Sequence, residues 1–428
     1  MDISLNYGRG QLAVSLPNEL DASVIRKPAM PLLDDPVAAL EAALANPAGS
    51  APLSQLAAQA KTACILICDI TRPVPNGVFL QPLLRTLLAA GLDKAAITIL
   101  VATGLHRPNE GDELAELVGD PWVIENFRVE NHFARDDAAH VALGQTRSGT
   151  VVKLDKRFVD ADLRIVTGLV EPHFMAGWSG GRKVIAPGIA HAETITTFHS
   201  ARFMEHPSCD NCILDGNPLH EEQLEIIAML GSALALNVVI DEARQISLIN
   251  FGEVVESHMA AVDHVRGYAE VGVPQRFPTV VTSAAGYPLD KTYYQTVKGM
   301  VGPLDILAPG GTLVIASACS EGMGSDEYVA SQRRFIERGA EQFLRDIEAK
   351  SHAAVDEWQT EMLLKPLRAG RVGLYTEGLS EAEFALTGVT PVASVAAAVA
   401  EAVAAAGDNR VAVIPEGPYV VPRYRPES

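Results

Sequence analysis

The chain has 428 residues, of which 48% are hydrophobic and 20% charged, and carries a net charge of −19. That length and apolar content suit a soluble globular enzyme of two or three domains, and the acidic balance argues against nucleic acid or an anionic membrane as a partner. The five cysteines are an odd count and no apolar run reaches the length of a membrane span, so the sequence predicts a cytoplasmic chain without a disulfide framework.

The opening stretch, MDISLNYGRGQLAVSLP, alternates as a strand does and lacks the basic and apolar regions of a secretory leader. TACILICDI (62–70) is a continuous apolar run ending in polar residues, the pattern of a buried parallel strand. A helix is expected over 79–90, stopped at Gly91, then strands over 96–104, 163–170 and 236–241 and a helix over 253–269. The Pro-marked break VGVPQRFPT (271–279) separates this from a second alternation. That one runs through strands at 279–286 and 310–319, helices at 327–350 and 354–364, a strand at 371–376, an Ala-rich helix at 392–406 and a strand at 411–417. The tail, GPYVVPRYRPES, reads as an extended arm packed on one domain. The expected fold class is α/β, with two α/β domains of largely parallel sheet and an active-site cleft between them. The boundaries drawn are 1–275, 276–410, and a strand and arm over 411–428.

Sites in open α/β sheets form at the carboxyl ends of parallel strands. Four polar turns fall there: Asp69-Ile70-Thr71-Arg72-Pro73, Thr103 to Pro108 with His106, Glu171-Pro172-His173, and Gly286-Tyr287-Pro288. Asp69 alone could be a turn residue and His106 a cap, but two such turns on adjacent strands favour a site. Gly177-Trp178-Ser179-Gly180-Gly181-Arg182-Lys183 is not a Walker A loop, because Arg182 and Lys183 follow the glycines and no Ser or Thr closes the motif. Its glycines permit close approach of backbone to a phosphate or ring. No G-x-G-x-x-G follows a predicted strand. An NAD-dependent 2-hydroxyacid dehydrogenase is therefore the alternative enzyme reading without its fingerprint, and a non-catalytic carboxylate-binding protein would leave Lys183 without a task. His173 and His199 flank the lysine turn and suggest covalent or metal chemistry. Cys209 and Cys212 form a lone C-x-x-C that reads more readily as loop than as a zinc or redox site, and Cys64, Cys68 and Cys319 are expected to be buried.

DITRP, GLHRP, EPHFMAGWSGGRKVIAPGI, the histidine of TTFHS and PLDKTYYQTVKG, in that order and spacing over roughly 65 to 300, resemble the nickel-dependent lactate racemase family. Weaker similarity extends to GPYVVP in the tail. The resemblance implies racemisation or epimerisation at C2 of a 2-hydroxy acid, lactate-like or larger, through a nickel-pincer nucleotide that accepts a hydride. It implies that the cofactor is covalently tethered to Lys183, that His199 is the protein's nickel ligand, and that Asp69, Ile70, Thr71 and Arg72 hold the cofactor. His106 and His173 map to the acid/base pair. Arg72, Lys298, Tyr294 and Gln295 map to substrate-binding positions, and Trp358 to a further aromatic. Cofactor-making enzymes are the implied partners. Square-planar nickel suits soft sulfur with imidazole. Two acid/base groups suit inversion of a planar 2-oxo intermediate from either face.

Overall fold

The apolar run beginning at Ala63 forms the strand Ala63–Cys68, whose first five residues are buried. The computed structural model describes residues 1–426 of the chain. It divides into two compact units.

One unit comprises Ala29–Phe198 and Ile213–Arg266. Its sheet has six strands in the order Ile246–Glu253, Leu234–Ile240, Leu163–Leu169, Ala63–Cys68, Ile97–Ala102, Arg128–Asn131. All neighbours are parallel except the first two. The aliphatic runs Ile65-Leu66-Ile67 and Ile99-Leu100-Val101 are wholly buried, as strands covered on both faces must be. The helix Asn76–Ala89 lays Phe79, Leu80, Leu83, Leu84 and Leu87 into the same core. Ala63–Cys68 is flanked by Ile97–Ala102 on one side and by the later strand Leu163–Leu169 on the other. The strand order therefore reverses at Ala63–Cys68, the kind of switch point at whose carboxyl ends open α/β sheets bind ligands.

The other unit comprises Met1–Pro28, His199–Cys212 and the chain from Gly267 onward. Its six-stranded sheet is parallel throughout, in the order Thr390–Pro391, Arg371–Tyr375, Leu307–Ala316, Phe277–Ser283, Arg410–Ile414, Asp21–Val24. The Ala-rich helix Val395–Ala406 packs Val395, Ala398 and Val399 on this sheet beside Val281, Val314 and Val413.

The strand–helix alternation is found where the sequence puts it, with four differences. The helix expected over 327–350 is two, Asp326–Arg338 and Ala340–Glu348, because Gly339 takes φ +74 and breaks the turn. Pro218–Leu230, capped by Asn217 through the amides of Leu219 and His220, is a helix that the periodicity did not announce. The units also do not divide the chain once near 275. Asp21–Val24 fills the sheet edge beside Arg410–Ile414, the hairpin of Asp2–Tyr7 with Gly10–Ser15 adds Ile3, Leu5 and Val14 to that unit's core, and His199–Cys212 belongs there too. The tail is a strand rather than an arm: Val421–Tyr424 pairs in parallel with Glu270–Val273. No helix among the described residues is long and apolar enough to cross a membrane.

Candidate active site

Three adjacent strand ends in the first unit carry the polar turns. The turn after Ala63–Cys68 is closed by the Arg72 amide on the Asp69 carbonyl, and the turn after Ile97–Ala102 by the His106 amide on the Thr103 carbonyl. This sets the buried Asp69 carboxylate against the half-exposed His106 ring, with Nδ1 2.5 Å from Oδ2. The other carboxylate oxygen accepts from the Thr71 hydroxyl at 2.5 Å and the Thr71 amide at 3.2 Å. Burial pushes the Asp69 carboxyl up, but His106, Thr71 and Arg72 outweigh it and the group is held below the ordinary carboxylate range. An ionised Asp69 requires the N–H on Nδ1 of His106, which leaves Nε2 as a lone pair. The Ile70 amide donates to Asn109 Oδ1.

His173 has the opposite arrangement. Its Nδ1 accepts from the amides of Met175 and Ala176 at 3.3 and 3.2 Å, so the neutral ring carries its N–H on Nε2. On the same strand end Glu171 meets Arg72 at 2.6 Å. Glu171 was quoted in the sequence motif without a role. Its signal was its place two residues before His173, at the end of the strand beside the one that ends in Arg72.

The glycine-rich turn differs from its expected use. Gly180 and Gly181 take φ +77 and +46, which alone calls for glycine. A Cβ on Gly181 would lie 2.7 Å from His258 Cβ, and one on Gly180 2.7 Å from Val170 Cγ2. The glycines admit the protein's own chain, not a phosphate. Arg182 points into the interior and is 1% exposed, donating to the Ala176 and Trp178 carbonyls and meeting His258. Burial, with the repulsion of Arg182, pushes His220 down to about 3. Lys183 turns the other way, half-buried, and its amine has no hydrogen bond or ion pair among the described residues. Burial first, then the charge of Arg72, lowers its pKa to about 7, with Cys68, Arg182 and Asp69 as its other titratable neighbours.

In the second unit the helix Tyr293–Val301, capped by Thr292, carries Tyr294, Gln295 and Lys298. Tyr294 Oη accepts from Trp358 Nε1 at 3.3 Å, and the Trp358 ring lies 4.9 Å from the His199 ring. Gln295 Oε1 is a buried acceptor with no partner. Thus Asp69, Thr71, Arg72 and His106 form one contact group with Glu171, while His199, Tyr294 and Trp358 form another. Cys209 and Cys212 are buried free thiols, with Cys209 pushed up to about 12 by burial. Cys64 and Cys319 are buried and Cys68 is half-buried. No three His, Cys, Asp or Glu side chains gather into a metal-holding group among the described residues.

Fold and site together define a two-unit α/β protein with a carboxylate-oriented histidine, a second histidine of opposite tautomer and a lysine held near neutrality. Residues 7–211 match the lactate racemase N-terminal domain and residues 275–421 the lactate racemase C-terminal domain. The lactate racemase of Thermoanaerobacterium thermosaccharolyticum is 31% identical over 433 residues, covering 99% of this chain and 100% of that protein. That of Lactiplantibacillus plantarum is 35% identical over 289 residues, 68% of each. The chain belongs to the lactate racemase family. The structure of the T. thermosaccharolyticum lactate racemase apoprotein superposes with a TM-score of 0.90 at 30% identity, over 99% of this chain and 100% of that one. A Thermotoga maritima protein with a TM-score of 0.64 at 17% identity, over 87% of this chain and 98% of that one, shares the fold.

Proposed function

We propose that this chain is a 2-hydroxyacid racemase or epimerase, acting on lactate or a larger relative, with a nickel-pincer nucleotide tethered to Lys183 and liganded by His199. The observation that carries the reading is Lys183. A lysine amine held at about 7 beside Asp69 and Arg72, with no ion pair, is a nucleophile at neutral pH and suits covalent attachment of a cofactor. The single imidazole of His199 suits a nickel ion whose other donors are soft sulfur and carbon on the cofactor. When bound, that cofactor supplies a hydride acceptor, which spares the α-carbon of the substrate a carbanion.

The chain's own residues do the rest. Arg72, whose Nη1 meets Glu171, would bind the substrate carboxylate, a role the family resemblance also gives to Lys298. The orphan Gln295 Oε1 suits a hydroxyl donor, and Tyr294, braced by Trp358, lies on the same helix. His106 Nε2 takes the hydroxyl proton while Asp69 stabilises the charge that forms on the ring. His173 presents Nε2–H to oxygen. To deliver that proton outright its ring must first be protonated at Nδ1, which the long amide contacts oppose only weakly.

The test is the intact mass and nickel content of the chain after co-expression with cofactor-making enzymes. A mass increment and nickel that Lys183→Ala abolishes, together with interconversion of lactate enantiomers, are expected. Full racemase activity at unmodified mass would remove the covalent tether.

A further inference from the structure

His132 is outside every motif, yet it bonds to the chain beside two of them, at Thr103 and at Ala190. It is 1% exposed and follows the edge strand Arg128–Asn131. Its amide donates to the Val101 carbonyl at 3.1 Å, and its own carbonyl accepts from the Thr103 hydroxyl at 2.7 Å. Thr103 begins the turn that carries His106. The ring is held between two oxygens, Nδ1 3.1 Å from Asp155 Oδ2 and Nε2 3.1 Å from the Ala190 carbonyl. The Ala190 carbonyl can only accept, so that contact uses the N–H on Nε2. Asp155 is fixed in turn by Arg157, which reaches it through Nε at 2.9 Å and Nη2 at 2.6 Å.

Ala190 lies on the connection from Lys183 to the helix Ala192–Phe198, whose next residue is His199. The same connection is bonded at neighbouring points. The Gly104 amide donates to the Gly188 carbonyl at 2.8 Å, the Asp155 amide to Ile189 and the His191 amide to Lys153. The His191 ring caps the Glu193 amide at 3.1 Å and meets Asp137 at 3.2 Å. Of these ties only the ring of His132 also belongs to the residue that anchors Thr103.

We infer that His132 is a positioning residue that fixes the connection between Lys183 and His199 relative to the turn of His106, acting through its Nε2 bond to Ala190. The inference rests on the cofactor reading for its consequence, but the mechanical part does not. Losing a buried bond of this kind lets the connection open more often, by about tenfold, and leaves the Ala190 carbonyl unsatisfied. His199, the residue that would hold nickel, would then be less well fixed, so nickel should be retained less well than a group attached covalently to Lys183.

Two variants separate the ring's bonds. In His132→Gln the side-chain amide can reach the place of Nε2 and keep Ala190. In His132→Asn it can reach the place of Nδ1 and keep only Asp155. Amide exchange in the full chain made without cofactor should rise about tenfold over 187–198 in the Asn variant and stay near wild type in the Gln variant. After maturation, nickel per Lys183 adduct should fall at least severalfold in the Asn variant and be restored in the Gln variant. Unchanged exchange over 187–198 in the Asn variant would overturn the inference. So would an increase shared by Leu234–Ile240, which would mean a general loss of stability. A wild-type chain that acquires neither adduct nor nickel would overturn the cofactor reading, while the exchange comparison would still decide the role of His132.

Discussion

Asp69 does two things with one carboxylate. One oxygen closes its own turn on Thr71, and the other fixes the tautomer of His106. Asp69→Asn should keep the turn, because the amide oxygen can still accept from Thr71, while its NH2 group faces Nδ1 and favours the tautomer with the proton on Nε2. The expected result is a loss of about 10²–10⁴ in kcat/KM, the range of general acid–base catalysis. Lactate enantiomers have equal free energies, so the loss must be the same factor from either one. Initial rates from D- and L-lactate on the matured enzyme measure this. A variant within about threefold of wild type would show that the Asp69–His106 bond is not used in proton transfer. Replacing His106 or His173 by Ala should cost a similar factor, and neither change should alter the mass of the Lys183 adduct.

At the scale of elements, the turn at Gly180 to Lys183 divides its two cations between the interior and the site. Arg182 is buried against carbonyls and a neutral histidine, and Lys183 is left beside Arg72 with its pKa lowered from 10.5 to about 7. The unfolded chain keeps an ordinary lysine, so between those values it binds a proton that the folded chain does not. Stability of the cofactor-free chain should therefore rise with pH from about 7 to about 10.5 through this group. Lys183→Met removes the cost of the buried charge. It should melt above wild type below pH 7, and the gap should close as the pH climbs past 10. Thermal melts of both chains across that range decide the point, and a gap independent of pH would mean that the amine is not depressed. The strand ends show the same economy of position: Glu171 reaches Arg72 and Asp69 reaches His106 because Leu163–Leu169, Ala63–Cys68 and Ile97–Ala102 are neighbours in the sheet.

At the scale of the whole molecule, the proposed substrate cations come from separate units, Arg72 from one and Lys298 from the other. A substrate carboxylate should be required for turnover if either cation has its proposed role. Arg72→Lys should raise KM or lower kcat by about tenfold, since a lysine cannot serve Glu171 and a substrate carboxylate in one plane. A kinetic panel of 2-hydroxy acids against their amides and esters would measure the requirement, and equal turnover of charged and neutral analogues would exclude it.

The sequence by itself determined the alternation of strands and helices, because buried parallel strands must be continuous apolar runs, as Ala63–Cys68 and Ile97–Ala102 are. It also determined the four polar turns and, through their order and spacing, the family. The tertiary structure alone decided what those turns do to one another. Nothing local pairs Asp21–Val24 with Arg410–Ile414, because that bond closes a loop of nearly the whole chain. Nothing local says that Arg72 is engaged by Glu171, that Gly181 makes room for His258, or that His132 reaches Ala190. Those contacts depend on which strand ends become neighbours. The periodicity of a segment records which of its faces is buried, but not which other segment covers it.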